Sequence, residues 1–254
     1  MITRNEIINF LKDFAIKKDY VYAMWLEGAD GINKVDEYSD IDFWFDVEED
    51  MKVPFLYDCI SELEKLGKID SRVDDIRDEI AQSNIHLENT SKYLTLDICV
   101  QSHNRDRKFT CYIENDIAEL PLVIFDKDNV ITYKKSYELD LNEIKEVFAN
   151  NKHRILQMSR VKKYVERKQY LEAFMKYMEN IAYPLVTIAR LIYTPRHYEY
   201  ELCHISNHLP TEIVTELEQF FAVKDLFDIE AKINKVIDVL KRYETLINEK
   251  YQIF

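Results

Sequence analysis

Residues 25–47 read WLEGADGINKVDEYSDIDFWFDV, and their pattern is the clearest indication of how the first half of the chain folds. It opens on the end of Tyr20–Leu26, a run of β-branched and aromatic residues that predicts a strand. A polar loop follows, beginning at Gly28, and the next apolar run, Asp40–Val47, predicts a second strand. The stretch therefore predicts a strand, a polar loop and a strand, with a glycine where the first strand ends.

Three carboxylates lie in or beside the predicted strands. Asp40 and Asp42 are expected to project side by side, because residues i and i+2 of a strand point to the same face. Asp97 lies within Tyr93–Gln101, an otherwise apolar predicted strand in which an unpaired carboxylate is costly to bury. Neighbouring carboxylates repel one another unless a cation lies between them, and Mg²⁺ prefers hard oxygen ligands. On a neighbouring strand, Asp97 would complete a three-carboxylate metal site.

This combination resembles the nucleotidyltransferase superfamily. The motif of that family is a hydrophobic strand, Gly-Gly or Gly-Ser, a polar loop and Asp-x-Asp, with a third acid on a later strand. The corresponding elements here are Gly28-Ala29, Asp40-Ile41-Asp42 and Asp97. The run Ser39-Asp40-Ile41-Asp42 is close to the one in small antibiotic-modifying members, and the resemblance spans residues 20–100.

The resemblance implies an adenylyltransferase. It would transfer a nucleoside monophosphate, AMP from ATP, to a hydroxyl of a small molecule and release pyrophosphate. The expected acceptor is an aminoglycoside-like antibiotic, which makes antibiotic resistance the expected role. Mg²⁺ is the implied cofactor, and the nucleoside triphosphate is the co-substrate. The implied catalytic and metal-binding residues are Asp40, Asp42 and Asp97, and the implied nucleotide-binding residues are Gly28, Ala29, Lys34 and Ser39.

One residue departs from the family pattern. Ala29 stands where the family has serine or glycine, so the hydroxyl that would hold a phosphate is absent. Loss of one hydrogen bond to a charged group costs about 1.5–3 kcal/mol. Lys34, in the same loop, would supply positive charge in compensation. The departure predicts weaker nucleotide binding at a site whose three acids are intact.

The sequence predicts an α+β fold in two domains. Residues 1–130 are expected to form a catalytic domain with a nucleotidyltransferase fold, a mixed β-sheet with flanking helices. Residues 131–254 are expected to form an all-helical bundle, and its resemblance to the second domain of aminoglycoside and lincosamide nucleotidyltransferases implies that it binds the substrate. Helical periodicity dominates this second half, and Pro195 and Pro210 interrupt it. The helices predicted there are Leu141–Lys168, Tyr170–Tyr193, Glu199–Asn207, Thr211–Phe221 and Ile229–Lys250.

The charge of the chain is unevenly distributed. The net charge is −13, and all of it falls in residues 1–127, which hold 28 acidic and 15 basic residues. An acidic surface repels nucleic acid, so no nucleic-acid partner is expected, whereas a cationic acceptor or metal ion would be attracted. No apolar run is long enough to span a membrane, and the four cysteines form no CxxC pair. The sequence therefore predicts a cytoplasmic monomer or homodimer without a membrane partner.

Two alternatives remain open. A non-catalytic nucleotide-binding or interaction module, such as an antitoxin-like partner, is favoured by Ala29 and disfavoured by the three acids. A protein AMPylator would use the same chemistry on a tyrosine hydroxyl of another protein. Release of pyrophosphate separates the module from either enzyme.

Overall fold

The computed structural model describes residues 1–253, which divide into two compact units, Met1–Tyr137 and residues 138–253. The division falls after the predicted boundary at residue 130, because Thr132–Lys134 forms a strand that pairs with Cys111–Ile113 of the first unit. None of the helices in residues 1–253 is long and apolar enough to cross a membrane.

The first unit is built on a mixed β-sheet flanked by helices, so the predicted α+β class is confirmed. Its strands are β1 Val21–Leu26, β2 Ile41–Val47, β3 Ile69–Ile76, β4 Ile80–Leu87, β5 Thr95–Ser102, β6 Cys111–Ile113, β7 Leu122–Asp126 and β8 Thr132–Lys134. The main sheet has the order β3-β4-β5-β2-β1-β7, in which β2 and β5 are parallel and every other pair is antiparallel. The small strands β6 and β8, which the sequence did not predict, form a separate parallel pair.

One face of the main sheet is covered by helices. The helices of this unit are α1 Arg4–Ala15, α2 Gly28–Gly31 and α3 Lys52–Leu66. Thr3 and Glu6 form a capping box at the start of α1. The apolar sides of α1 and α3 pack in one core with alternate residues of β2, namely Ile41, Phe43, Phe45 and Val47. The intervening residues of β2 therefore point to the opposite face, and Asp42 is one of them.

The second unit is entirely helical. Its helices are α4 Leu141–Leu156, α5 Ser159–Glu166, α6 Tyr170–Tyr177, α7 Tyr183–Tyr193, α8 Ile205–His208, α9 Thr211–Phe221 and α10 Leu226–Tyr251. A single apolar core runs through it and includes Tyr177, Ile188 and Val236. A π-helical turn, Met178–Ala182, joins α6 to α7, so the predicted helix 170–193 is continuous apart from that turn.

The predicted helix Glu199–Asn207 is wrong. A 3₁₀ segment, Pro195–Tyr200, and the short helix α8 replace it. Between them, Glu201 and His204 have positive φ angles of 46° and 53°, which a helix excludes. The buried Arg190 holds this conformation by donating to the carbonyls of Glu201 and Cys203, each at 2.5 Å. The local sequence has helical periodicity, but the hydrogen bonds from Arg190, which lies outside this segment, stabilise a different backbone conformation.

Candidate active site

Two of the predicted carboxylates lie opposite each other on parallel strands. The register of β2 and β5 pairs Asp42 with Asp97, so the two side chains are neighbours on the sheet face that the helices leave uncovered. Asp40 lies just before β2 and is exposed. The structure thus brings together two of the three predicted acids by strand register, with the third two residues upstream.

The carboxylate of Asp42 accepts no hydrogen bond from the rest of residues 1–253. Within residues 1–253 no side chain or backbone amide donates to its oxygens. Burial, as the larger cause, and the negative charges of Asp40, Asp97, Glu27 and Asp30 together raise the pKa of Asp42 to about 7. A half-buried acid that no protein group neutralises is suited to accept a cation from outside the chain.

Asp46, on the same face of β2, shows the opposite arrangement. Its fully buried carboxylate accepts from Gln101 Nε2 at 2.7 Å and lies 2.5 Å from His103 Nδ1. These partners satisfy the charge that burial would otherwise penalise. Asp46 is therefore part of the scaffold, and it offers an internal comparison for Asp42.

Asp97 is held by a neighbour that the sequence analysis missed. Gln82 on β4 places its amide nitrogen 2.8 Å from both carboxylate oxygens of Asp97. Burial raises the pKa of Asp97, whereas the Gln82 hydrogen bond acts in the opposite direction. The Gln82 side-chain amide fixes the orientation of the Asp97 carboxylate, and the pKa of Asp97 is still raised overall. Nothing in the sequence near Gln82 signals this role, because it depends on the pairing of β4 with β5.

Gly28 is required at the start of the loop for two reasons. Its φ angle is +57°, in the left-handed region that L-residues avoid. A Cβ at this position would also overlap the Oδ2 atom of Asp42. The backbone of the loop therefore passes directly against the carboxylate, and the amide groups of Gly28 and Ala29 donate to no acceptor within residues 1–253.

Glu27 is a further acid that the sequence analysis missed. Its Oε1 atom accepts from the indole nitrogen of Trp25 at 3.0 Å and from the hydroxyl of Tyr112. Burial raises the pKa of Glu27, and its backbone amide donates to the carbonyl of Asp42 at 3.0 Å. Its position at the end of a strand, directly before Gly28, was the available signal. Glu27 adds a third buried negative charge to this end of the sheet.

The remaining predicted residues lie in the loop itself. Ala29 is in the short helix α2, and the exposed Lys34 donates its backbone amide to the Ala29 carbonyl at 2.8 Å. The hydroxyl of Ser39 donates to Asp36 Oδ1 at 2.8 Å and accepts from the Asp36 amide at 2.9 Å. Ser39 thus closes a turn within the loop, and its predicted contact with a nucleotide stays a prediction.

The donor set fits a magnesium ion that a substrate helps to coordinate. Within residues 1–253, no group of three or more His, Cys, Asp or Glu side chains has an arrangement that would hold a metal by itself. Mg²⁺ is commonly bound by one or two carboxylates together with substrate phosphates and water. Asp42, whose carboxylate accepts no hydrogen bond from residues 1–253, and the exposed Asp40 supply two such carboxylates.

No family model and no curated protein matches the sequence. Among solved structures, the chain is similar to an aminoglycoside 6-adenyltransferase from Bacillus subtilis, with 16% identity, a TM-score of 0.39 and coverage of 98% of this chain and 91% of that one. It is also similar to a spectinomycin adenyltransferase from Enterococcus faecialis, solved with ATP and spectinomycin. The identity there is 12% and the TM-score 0.32, over 94% of this chain and 100% of that one. Both similarities are low.

Proposed function

We propose that the first unit is the catalytic domain of a metal-dependent nucleotidyltransferase. The reaction is transfer of a nucleoside monophosphate, AMP from ATP, to a hydroxyl of a small molecule, with release of pyrophosphate. The observation that carries the proposal is the state of Asp42, a half-buried carboxylate that lacks donors and lies between Asp97 and the Gly28 loop. Such an acid is costly in the free protein and is neutralised when a cation binds.

Each predicted residue has a role in this reaction. Asp40 and Asp42 would hold Mg²⁺, which supplies neutralisation of the phosphate charge when it is bound. The backbone at Gly28 and Ala29 and the ammonium group of Lys34 would bind the phosphates, and Ser39 would keep the loop in its turn. Asp97, whose pKa is raised, would accept the proton of the acceptor hydroxyl at a carboxylate oxygen, oriented by Gln82. A second metal ion at Asp97 is the alternative role.

The acceptor is proposed from charge alone. Since the whole net charge of −13 lies in residues 1–127, a polycationic acceptor such as an aminoglycoside is favoured electrostatically. The helical unit is proposed to bind that acceptor. Protein AMPylation and a non-catalytic nucleotide-binding module stay as alternatives, and Ala29 is the residue that favours the module.

Thermal unfolding with and without ATP and Mg²⁺ tests the proposal. A ligand at 100 times its dissociation constant stabilises the folded state by about 2.7 kcal/mol. We expect a Mg²⁺-dependent rise in the unfolding temperature of the wild type and none in the double variant Asp40→Ala/Asp42→Ala. The matched control is Glu48→Ala/Asp50→Ala, which removes two exposed acids at the other end of β2 and should keep the rise.

The outcomes separate the candidate functions. Stabilisation followed by pyrophosphate release in a screen of aminoglycoside acceptors supports the enzyme, and release that requires an added protein substrate favours the AMPylator. Stabilisation without release under either condition favours the module. An equal rise in the wild type and the Asp40→Ala/Asp42→Ala variant contradicts the metal assignment.

Ala29→Ser is expected to strengthen nucleotide binding. The new hydroxyl would add one hydrogen bond to a charged phosphate, worth about 1.5 kcal/mol or roughly tenfold in the dissociation constant for Mg²⁺·ATP. Titration calorimetry measures the change, and Ala29→Cys is the control because it has a similar shape and only a weak donor. Unchanged or weaker binding by Ala29→Ser would show that the loop does not hold the phosphates.

A further inference from the structure

Arg4 connects the scaffold of the first unit to both ends of the Gly28 loop. This residue is the first of α1, and its guanidinium makes a bidentate ion pair with Asp30, through Nε at 3.3 Å and through a second, shorter contact from Nη2. The third nitrogen, Nη1, donates to the carbonyl of Ser39 at 3.1 Å. One side chain thus holds the segment just after Gly28 and the residue just before Asp40.

The contact is sheltered, and the element that carries it is firmly anchored. The side chains of Arg4 and Asp30 are 16% and 8% exposed. The start of α1 is fixed by its capping box and by a hydrogen bond from the Ile2 amide to the Asn89 carbonyl at 2.8 Å. On the other side of the loop, Gly31 passes so close to the Leu120 carbonyl that a Cβ would overlap it. The loop is therefore held from two directions by elements outside it.

Arg4 also neutralises a charge that faces the site. Asp30 is one of the negative groups that raise the pKa of Asp42, so without Arg4 it would stand unpaired beside Asp42 and repel a phosphate. A planar guanidinium binds a carboxylate at two points and still has a nitrogen free for a carbonyl, which the single ammonium group of lysine does not.

We propose that Arg4 is a positioning residue for nucleotide binding: it keeps the Gly28–Ser39 loop in its binding conformation and cancels the charge of Asp30. This inference rests on the proposed function. When the binding conformation is only a fraction of the free protein, the apparent dissociation constant rises by the inverse of that fraction. A saturating nucleotide restores the conformation, so KM for ATP changes while kcat is largely kept.

The experiment compares wild type, Arg4→Gln, Asp30→Asn and the double variant. Calorimetry with Mg²⁺·ATP is expected to show binding about tenfold weaker in Arg4→Gln, with most of the loss recovered in Arg4→Gln/Asp30→Asn, because the unpaired charge is then gone. KM for ATP should rise by the same factor, with kcat changing less than about threefold. Amide exchange of residues 32–38 in the free protein should be faster in Arg4→Gln.

Two further variants keep the test decisive. Arg4→Lys retains the positive charge but not the three-point contact, so its affinity for Mg²⁺·ATP should lie between those of wild type and Arg4→Gln. The same variant replaces Arg4→Gln in the test if Arg4→Gln fails to fold. Lys12→Gln removes the same charge from the last turn of α1 and should bind as wild type does.

The failures are distinguishable. If the wild type does not bind Mg²⁺·ATP, the proposed function is overturned and this inference with it. If the wild type binds and Arg4→Gln binds equally well, only the inference is overturned. A loss of binding that Asp30→Asn does not recover would assign Arg4 to the stability of α1 and would also overturn the inference.

Discussion

Asp42→Asn is expected to abolish nucleotidyl transfer and, in the same protein, to raise the free energy of unfolding at pH 8. Transfer should fall about 10³-fold or more, because a metal ligand that neutralises phosphate charge contributes several kcal/mol to the transition state. Stability should rise because an amide has no charge for burial to penalise, and because it is not repelled by Asp40 and Asp97.

The pH dependence of the stability gain follows from the pKa of Asp42. Burial and neighbouring acids raise this pKa from 3.8 to about 7, so the folded state binds the proton more tightly than the unfolded state. Stability conferred by the protonated acid is complete below pH 4, declines as the pH rises, and is lost above pH 7. Since the group is partly exposed, solvent screening reduces the difference at pH 8 to about 2 kcal/mol. The free energy of unfolding of Asp42→Asn should therefore exceed that of the wild type at pH 8 and equal it near pH 4.

Asp46→Asn is the matched control, on the same strand and the same face. The Asp46 carboxylate already accepts from Gln101 and contacts His103, so an asparagine would lose these charge-assisted hydrogen bonds. Its NH₂ group would also point at a neighbouring N–H donor instead of an acceptor. The variant should lose stability at pH 8, in contrast to Asp42→Asn. Chemical denaturation at pH 4 and pH 8, together with a pyrophosphate assay, measures all three proteins. Wild-type turnover by Asp42→Asn, or a loss of stability at pH 8, would contradict the assignment.

The backbone elements that the sequence predicted well were those whose pattern is local. The apolar runs around Trp25 and Trp44 predicted β1 and β2 to within a residue, and Thr211–Phe221 has the predicted bounds. The short strands β6 and β8 were missed, because three residues carry too little periodicity. The bend at Glu201 was missed because a buried arginine elsewhere in the chain determines it.

The candidate site was predictable only in part, for the same reason. An acid in an apolar strand signalled Asp97, and the parallel register with β2 confirmed that it neighbours Asp42. Gln82 orients Asp97 from 15 positions away in the sequence, and Arg4 neutralises Asp30 of the Gly28 loop from 26 positions away. Such contacts depend on strand pairing and helix placement, and neither is encoded in the motif itself.

Gly28→Ala is expected to damage both the fold and the candidate site. The methyl group would overlap the Oδ2 atom of Asp42, and the residue would have to adopt a φ angle of +57°. A left-handed L-residue costs about 1–2 kcal/mol, and overpacking adds a similar amount, so the free energy of unfolding should fall by about 3 kcal/mol. Displacing the Asp42 carboxylate by about 1 Å should lower transfer about 100-fold.

A double variant separates the two causes of this loss. In an Asp42→Ala background the atom that the new methyl group would overlap is absent, so Gly28→Ala should cost only the 1–2 kcal/mol of the backbone conformation. Denaturation of wild type, both single variants and the double variant gives the coupling between the two positions. An equal cost in both backgrounds would mean that the Asp42 carboxylate does not lie against Gly28, and the loop would then no longer be part of the site.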